Sequence, residues 1–164
     1  GIRDVAVTGV QTCALPICGE VPETDFVTPL GSAAITRAGT QVTVLAYGLM
    51  AHHALEAAAR AEEEGVSVEV VDLRSLRPLD TETVLNSVRK TGKCLIVHED
   101  NRFGGYGAEL GALVAEEAFD YLDGPVLRVC GPDVPAVPYS HVLEDWFMVN
   151  QDKVLAGIRR LAAY

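Results

Sequence analysis

Short runs of β-branched and other apolar residues alternate with helix-forming stretches along most of the sequence, and this alternation constrains the fold most. QVTVLAY at residues 41–47 and VSVEVVDL at residues 66–73 are typical of buried strands, and an Ala-rich stretch with one apolar helical face lies between them. Strands that alternate with helices are joined by right-handed crossovers into a mainly parallel sheet. The sequence therefore predicts an α/β domain, a three-layer sandwich around a mostly parallel five-stranded sheet.

Turn and capping residues set the bounds of the predicted elements. Asp80 is a candidate N-cap, and Gly65 and Gly92 follow the last turns of two helices. The predicted strands are residues 32–37, 41–47, 66–73, 94–97 and 126–130, and the predicted helices are residues 49–64, 81–91, 105–122 and 151–162, with a short turn at residues 142–146. Because Ala38-Gly39 indicates a turn, we expect the first two strands to form a hairpin that supplies one antiparallel edge strand.

The first eighteen residues, GIRDVAVTGVQTCALPIC, differ from the rest of the sequence. They have neither helical nor strand periodicity, and they resemble the translation of a sequencing-adapter artefact. We expect residues 1–18 to be a non-native or disordered leader; the alternative is a genuine N-terminal strand or linker. The fold prediction therefore depends on residues 19–164, which form one domain of ordinary size.

Charge and apolar content argue against several classes of function. A formal net charge of −10 argues against nucleic-acid binding, because phosphate backbones require clustered Lys and Arg. No apolar stretch approaches the ~20 residues that span a bilayer, and the sequence shows no secretory signal. Of the four cysteines only Cys13 and Cys18 lie close together in sequence, so we expect free thiols in a cytoplasmic protein.

His98-Glu99-Asp100 follows a predicted strand, at the sheet edge where open α/β sheets bind ligands. A histidine beside carboxylates can shuttle protons or bind a metal ion. Adjacent residues of an extended chain point in opposite directions, however. We therefore favour a structural role or a contact with a partner subunit over catalysis.

Gly104-Gly105-Tyr106-Gly107 opens the next predicted helix. Glycines at a helix N-terminus allow a bound anion to approach the backbone closely. The spacing of a dinucleotide-binding or P-loop motif is not met, and no Lys-Ser or Lys-Thr pair follows. Close backbone packing at a subunit contact is the interpretation that we favour.

Four acidic residues, Glu116, Glu117, Asp120 and Asp123, cluster near the end of the helix predicted at residues 105–122. An ordinary solvated helix face would account for them. The sharper hypothesis is a docking site for a basic partner, since complementary charges speed association and set its register.

Several stretches, in their order and spacing, resemble the C-terminal domain of the β subunit of pyruvate and branched-chain 2-oxo acid dehydrogenases, a domain shared with transketolase. The stretches are GTQVTVLAYGLMAHHA at residues 39–54, VEVVDLRSLRPL at 68–79, IVHEDNRFGGYGAE at 96–109 and AEEAFDYLD at 115–123. Gly131-Pro132-Asp133 and Val137-Pro138-Tyr139 resemble the late loop of that family. The resemblance covers residues 21–164 and implies a transketolase C-terminal-domain-like fold.

The resemblance implies a parent enzyme that is an α₂β₂ heterotetramer. That enzyme decarboxylates a 2-oxo acid on thiamine diphosphate with Mg²⁺ and transfers the acyl group to lipoyl. The α subunit and the N-terminal domain of the β subunit supply the cofactor contacts. The resemblance therefore assigns no catalytic, cofactor-binding or metal-binding residue to this sequence, and we expect the chain alone to be non-catalytic.

The resemblance also implies a role in assembly, because in the family this domain contributes to the contact between two β subunits and to docking of the basic subunit-binding module of dihydrolipoyl acyltransferase. The candidates for the subunit interface are His98, Glu99, Gly104, Gly105, Tyr106 and Gly107, and those for docking are Glu116, Glu117, Asp120, Asp123 and the C-terminal Tyr164. Two alternatives stay open: the C-terminal domain of a transketolase or deoxyxylulose phosphate synthase, and a free-standing α/β module that binds a small anion at the Gly105 helix start.

Overall fold

The computed structural model describes residue 23, residues 27–135 and residues 137–164. The strands are β1 (Ala34–Arg37), β2 (Val42–Ala46), β3 (Val68–Asp72), β4 (Cys94–Asn101) and β5 (Leu127–Gly131). The α-helices are α1 (Leu49–Glu63), α2 (Thr81–Thr91), α3 (Tyr106–Glu117), α4 (His141–Phe147) and α5 (Gln151–Ala162). The leader predicted at residues 1–18 lies outside the described residues.

The five strands form one sheet in the order β1-β3-β2-β4-β5. The β2–β3, β2–β4 and β4–β5 pairs are parallel, and only β1 runs antiparallel, beside β3. The mostly parallel sheet with one antiparallel edge strand is therefore confirmed. The expected hairpin is wrong, because β1 pairs with β3, with Ala34 opposite Asp72, and not with β2.

The turn at Gly39 explains why the hairpin does not form. An added Cβ there would lie 2.2 Å from the backbone carbon of Val68 and 2.3 Å from the backbone nitrogen of Glu69. The chain thus passes against the start of β3 on its way from β1 to β2. The chain does turn at Ala38-Gly39, as the sequence predicts. The turn leads past β3, which lies between β1 and β2 in the sheet.

Helices cover both faces of the sheet, and each face has its own apolar core. One core joins α1 and α5 to the face of β2 that carries Val42 and Val44. The other joins α2 and α3 to the face that carries Leu45. Because the two cores lie on opposite faces, the predicted three-layer sandwich is confirmed.

Capping residues fix the ends of α2 as the sequence predicts. The Asp80 carboxylate accepts a hydrogen bond from the Thr83 backbone N–H at 3.1 Å and a second from that of Ala33 at 2.9 Å. Gly92 ends the helix in the left-handed conformation with φ 69°. Asp80 therefore caps α2 and also ties it to the residue before β1.

The helix that the sequence places at residues 105–122 is shorter in the structure. It ends at Glu117, and a 3₁₀ turn occupies Phe119–Tyr121. Tyr121 is more than half exposed and packs on the Arg89 guanidinium at 5.6 Å from the ring centre. The short turn expected at residues 142–146 is the helix α4. None of the described helices is long and apolar enough to cross a membrane.

Candidate functional site

The carboxyl ends of β2 and β4 meet at the point where the strand order reverses, which is the position where open α/β sheets bind ligands. His98 lies there on β4 and is fully buried. Its ring stacks on Tyr47, with 6.3 Å between centroids and 6° between planes. Tyr106, in the first turn of α3, meets Tyr47 edge-on and donates a hydrogen bond from its hydroxyl to the Leu76 carbonyl at 2.7 Å.

The start of α3 lies directly against the His98 ring. An added Cβ at Gly107 would lie 2.3 Å from His98 Nε2, and one at Gly105 would lie 2.9 Å from His98 Cε1. Gly105 and Gly107 are therefore required so that the helix backbone can contact the imidazole. The close backbone packing that the sequence suggested at this motif exists, but it lies within the chain.

The six candidates for the subunit interface differ in exposure, and their role in a subunit contact stays a prediction. His98, Gly105 and Gly107 are buried inside the chain, so they are not accessible to a partner subunit. Glu99 and Gly104 are exposed, and Tyr106 is partly exposed. Only these three remain candidates for a contact with another subunit.

His98 is buried in its neutral form. Neither Nδ1 nor Nε2 has a hydrogen-bond partner among the described residues. Burial lowers the pKa of His98; the Asp100 carboxylate opposes this shift and Arg128 adds to it. The neutral, enclosed imidazole packs between Tyr47 and the start of α3.

We expect the stability of the chain to fall more steeply at acid pH with His98 present than without it. In the unfolded chain His98 binds a proton near its ordinary pKa, about 6.5. In the folded chain it is protonated only at a lower pH. Unfolding then takes up a proton, and its free energy falls as pH drops below about 6.5, by up to about 1.4 kcal/mol per unit. Urea unfolding of wild type and His98→Gln between pH 7.5 and 5.5 measures the difference. Equal slopes would contradict the burial of a neutral ring.

Burial shifts the protonation of the two phenols beside His98. Burial raises the pKa of Tyr47 to about 12, and the nearby carboxylates of Asp100 and Glu99 add to the shift. Burial also raises the pKa of Tyr106. Both phenols thus stay protonated at neutral pH.

The acidic docking candidates are all exposed on one side of the fold. Glu116 and Glu117 end α3, Asp120 lies in the 3₁₀ turn, and Asp123 follows it. Among the described residues none of the four forms a salt bridge within 4.0 Å. Arg89 lies beside this cluster and donates a hydrogen bond to the Glu117 carbonyl, but it forms no salt bridge with any of the four carboxylates.

The fifth docking candidate, Tyr164, lies beside this cluster. An added Cβ at Gly124 would be 3.3 Å from Tyr164 Cβ, and Gly124 directly follows Asp123. Tyr164 is itself 63% exposed. The structure therefore brings the C-terminal residue next to the acidic residues that sequence analysis grouped with it.

A surface that the sequence analysis missed lies on α4 and the loop before it. Five large apolar side chains are exposed there: Val137, Tyr139, Val142, Leu143 and Trp146. We call this set the 137–146 patch. The spacing of the last three predicts a common face if the segment is helical, and this signal was missed because the segment was interpreted as a turn.

No metal centre can be assigned to the described part of the chain. It contains no group of three His, Cys, Asp or Glu side chains that could hold a metal ion. Cys94 is buried and Cys130 partly buried, both as free thiols, and burial raises the pKa of each. The described residues therefore offer no such cluster of side chains for Mg²⁺, and the binding of thiamine diphosphate outside this chain stays a prediction.

Known proteins share both the sequence and the fold. The family model of the transketolase C-terminal domain matches residues 31–154. The β subunit of 2-oxoisovalerate dehydrogenase from Bacillus subtilis is 47% identical over 148 residues, covering 90% of this chain and 45% of that protein. A mitochondrial pyruvate dehydrogenase E1 component β subunit from Dictyostelium discoideum is 41% identical over 137 residues. The match covers 84% of this chain and 38% of that protein.

A solved structure, described as a split-gene transketolase and an inactive β4 tetramer, has a TM-score of 0.76 and 30% identity. The match covers 88% of this chain and 46% of that one. This chain thus spans less than half the length of each of these three proteins.

Proposed function

We propose that this chain, which belongs to the family of transketolase C-terminal domains, is the assembly domain of the β subunit of a 2-oxo acid dehydrogenase. The observation that carries the proposal is the 47% identity to a 2-oxoisovalerate dehydrogenase β subunit over 90% of the chain. The parent enzyme would decarboxylate a 2-oxo acid oxidatively and transfer the acyl group to lipoyl. Its thiamine diphosphate and Mg²⁺ would be bound by other parts of the enzyme, outside this chain. The enzyme would act in the cytoplasm.

The 137–146 patch supports a role in subunit contact. Monomeric proteins rarely expose large contiguous apolar surfaces, and clustered aromatic and aliphatic side chains are typical of protein interfaces. Tyr139 is fully exposed and Trp146 more than half exposed. We assign this patch to the contact with a second β subunit or with the α subunit, together with Glu99, Gly104 and Tyr106.

The acidic cluster supports a second contact, with the basic subunit-binding module of dihydrolipoyl acyltransferase. Glu116, Glu117, Asp120 and Asp123 lie beside Tyr164, and none has a basic partner among the described residues. Uncompensated charges of one sign attract a partner of the other sign and set its register. The same surface would repel nucleic acid.

Reversal of three of these charges should weaken acyltransferase binding. We expect Glu116→Lys with Glu117→Lys and Asp120→Lys to slow association with the module at least tenfold at low salt, because steering depends on charge. Surface plasmon resonance with the isolated module measures the rate.

A matched control makes the same change in net charge elsewhere. Glu56, Glu63 and Glu82 are exposed on α1 and α2, and none forms a salt bridge among the described residues. Their replacement by Lys should slow association far less. Equal effects of both triple variants would show that net charge alone, and not this cluster, attracts the module.

The structural similarity to a split-gene transketolase favours a second candidate, the C-terminal domain of another thiamine enzyme. Such a domain would make subunit contacts through the 137–146 patch but would have no acyltransferase to bind. Binding of the subunit-binding module therefore discriminates between the two. Failure to bind, with self-association retained, would favour the transketolase-type enzyme.

A further inference from the structure

A pocket of about 410 Å³ lies at the carboxyl end of β5, away from the acidic cluster. Its walls come from β5 and the residues after it, from Arg102 in the loop between β4 and α3, and from α4 and α5. Trp146 and Phe147 supply aromatic surface on one side. The pocket is open to solvent, and Trp146 is the one lining residue that it shares with the 137–146 patch.

Positive charge is concentrated around this pocket although the chain as a whole carries a net charge of −10. Arg102, Arg128 and Lys153 line it, and Asp133 is its one carboxylate among the described residues. Within that part of the chain no carboxylate lies within 4.0 Å of any of the three cations. The pocket therefore keeps a net positive charge, because three cations line it and only one carboxylate among the described residues does.

The two guanidinium groups are held in place but retain free donors. Arg128 donates one hydrogen bond to the Arg102 carbonyl at 3.0 Å, and Arg102 donates one to the Arg128 carbonyl at 3.4 Å. A guanidinium has five N–H donors, so most of them remain available. Paired arginines of this kind match the geometry of carboxylate and phosphate oxygens.

The remaining polar groups of the pocket are occupied or neutral. Lys153 donates to the carbonyls of Trp146 and Met148, each at 2.5 Å, and burial lowers its pKa. Asp133 accepts the Phe103 backbone N–H at 2.7 Å. Burial raises the pKa of Cys130, which leaves a neutral thiol. The two arginines are thus the groups that stay free to bind an anion.

We propose that this pocket is a binding site for a small organic anion. Its carboxylate or phosphate group contacts the free donors of Arg102 and Arg128, and its short apolar body packs against Trp146 and Phe147. The site is distinct from the acidic surface proposed for docking, and the inference does not depend on the identity of the parent enzyme.

The single tryptophan of the sequence, Trp146, is a built-in reporter of occupancy because it lines the pocket. Fluorescence titrations of the 164-residue chain with acetate, butyrate and inorganic phosphate, at constant ionic strength, test the site. We expect saturable changes, with butyrate binding about 15-fold more tightly than acetate, because it has two more CH₂ groups and each one buried contributes roughly fourfold in affinity. Tighter binding of phosphate than of butyrate would identify the natural ligand as a phosphorylated compound, and the reverse order would identify a carboxylic acid.

Substitution of the arginines localises the binding. Arg102→Gln and Arg128→Gln should each weaken binding of the tighter probe at least tenfold, whereas Arg60→Gln, on the exposed face of α1, should leave it unchanged. Urea unfolding of each variant checks that the fold is kept. Absence of saturation with every probe up to about 50 mM, or equal affinity in all three variants, would overturn the proposal.

Discussion

Replacement of Lys90 by Met should lower the free energy of unfolding by about 3 kcal/mol. Lys90 on α2 pairs with Glu69 on β3, whose side chain is 1% exposed. The same Glu69 carboxylate accepts the Gly39 backbone N–H at 3.3 Å, and its other oxygen has no partner among the described residues. Loss of the ammonium group would leave a buried carboxylate with one weak hydrogen bond, which is costly.

Urea denaturation compares this variant with Arg60→Met, which removes the basic partner of an exposed pair. Arg60 and Asp152 are 46% and 71% exposed, so their separation should cost under about 1 kcal/mol. Addition of Glu69→Met to Lys90→Met should recover most of the stability, since the buried charge is then gone. A loss in Lys90→Met no larger than in Arg60→Met would mean that water reaches Glu69.

The second large effect concerns two glycines of the same helix. Gly107→Ala should destabilise the chain by about 2 kcal/mol, because the new methyl group would overlap the buried His98 ring. Gly111→Ala, one turn further along α3, should stabilise it by up to about 1 kcal/mol. There the new Cβ would meet Ile96 at 3.8 Å, an ordinary contact, and alanine favours the helix.

A double-mutant cycle assigns the loss to His98. In a His98→Ala background the Gly107→Ala substitution should cost almost nothing, which gives a coupling energy of about 2 kcal/mol. Thermal and urea unfolding of the four proteins supply the cycle. Destabilisation by Gly107→Ala that persists without His98 would show that the helix start, and not the imidazole, requires glycine.

Local chemistry predicted the helix bounds well where strong capping or stop residues exist. α2 and α5 occupy the residues that the sequence indicated, because Asp80 caps α2, Gly92 ends it and Asn150 caps α5. The predicted end of α3 was wrong, because no glycine or proline marks Glu117. Contacts from elsewhere hold the chain at this point: Arg89 donates to the Glu117 carbonyl, and the Asp123 N–H donates to the Gly92 carbonyl.

Strand pairing and burial of single polar residues depended on distant parts of the chain. The antiparallel edge was predicted but its partner was not, because the position of β3 between β1 and β2 depends on the close approach at Gly39. His98 was predicted to follow a strand that ends at residue 97, but it lies within β4, which extends to Asn101. Its burial depends on Tyr47 and on the two glycines of α3, which no local pattern connects to it.

The candidate contact surfaces were predicted unevenly for a similar reason. Acidic residues at one helix end form a cluster in sequence and in space, so the cluster could be predicted directly, and its role in docking stays a prediction. The 137–146 patch was missed because a helix of seven residues between a Pro-rich loop and α5 gives a weak periodic signal. The positively charged pocket combines Arg102, Arg128 and Lys153 from three separate elements, and it becomes visible only in the folded chain.

The most direct test of the assembly role is a hybrid β subunit. The 148 matched residues of this chain would replace their counterparts in the Bacillus subtilis 2-oxoisovalerate dehydrogenase β subunit, co-expressed with its α subunit. A second hybrid, carrying Val142→Asp and Leu143→Asp, removes the exposed apolar surface. Sedimentation velocity should show the first hybrid in a heterotetramer with the α subunit and the second dissociated. A folded first hybrid that leaves the α subunit uncombined would contradict the assignment.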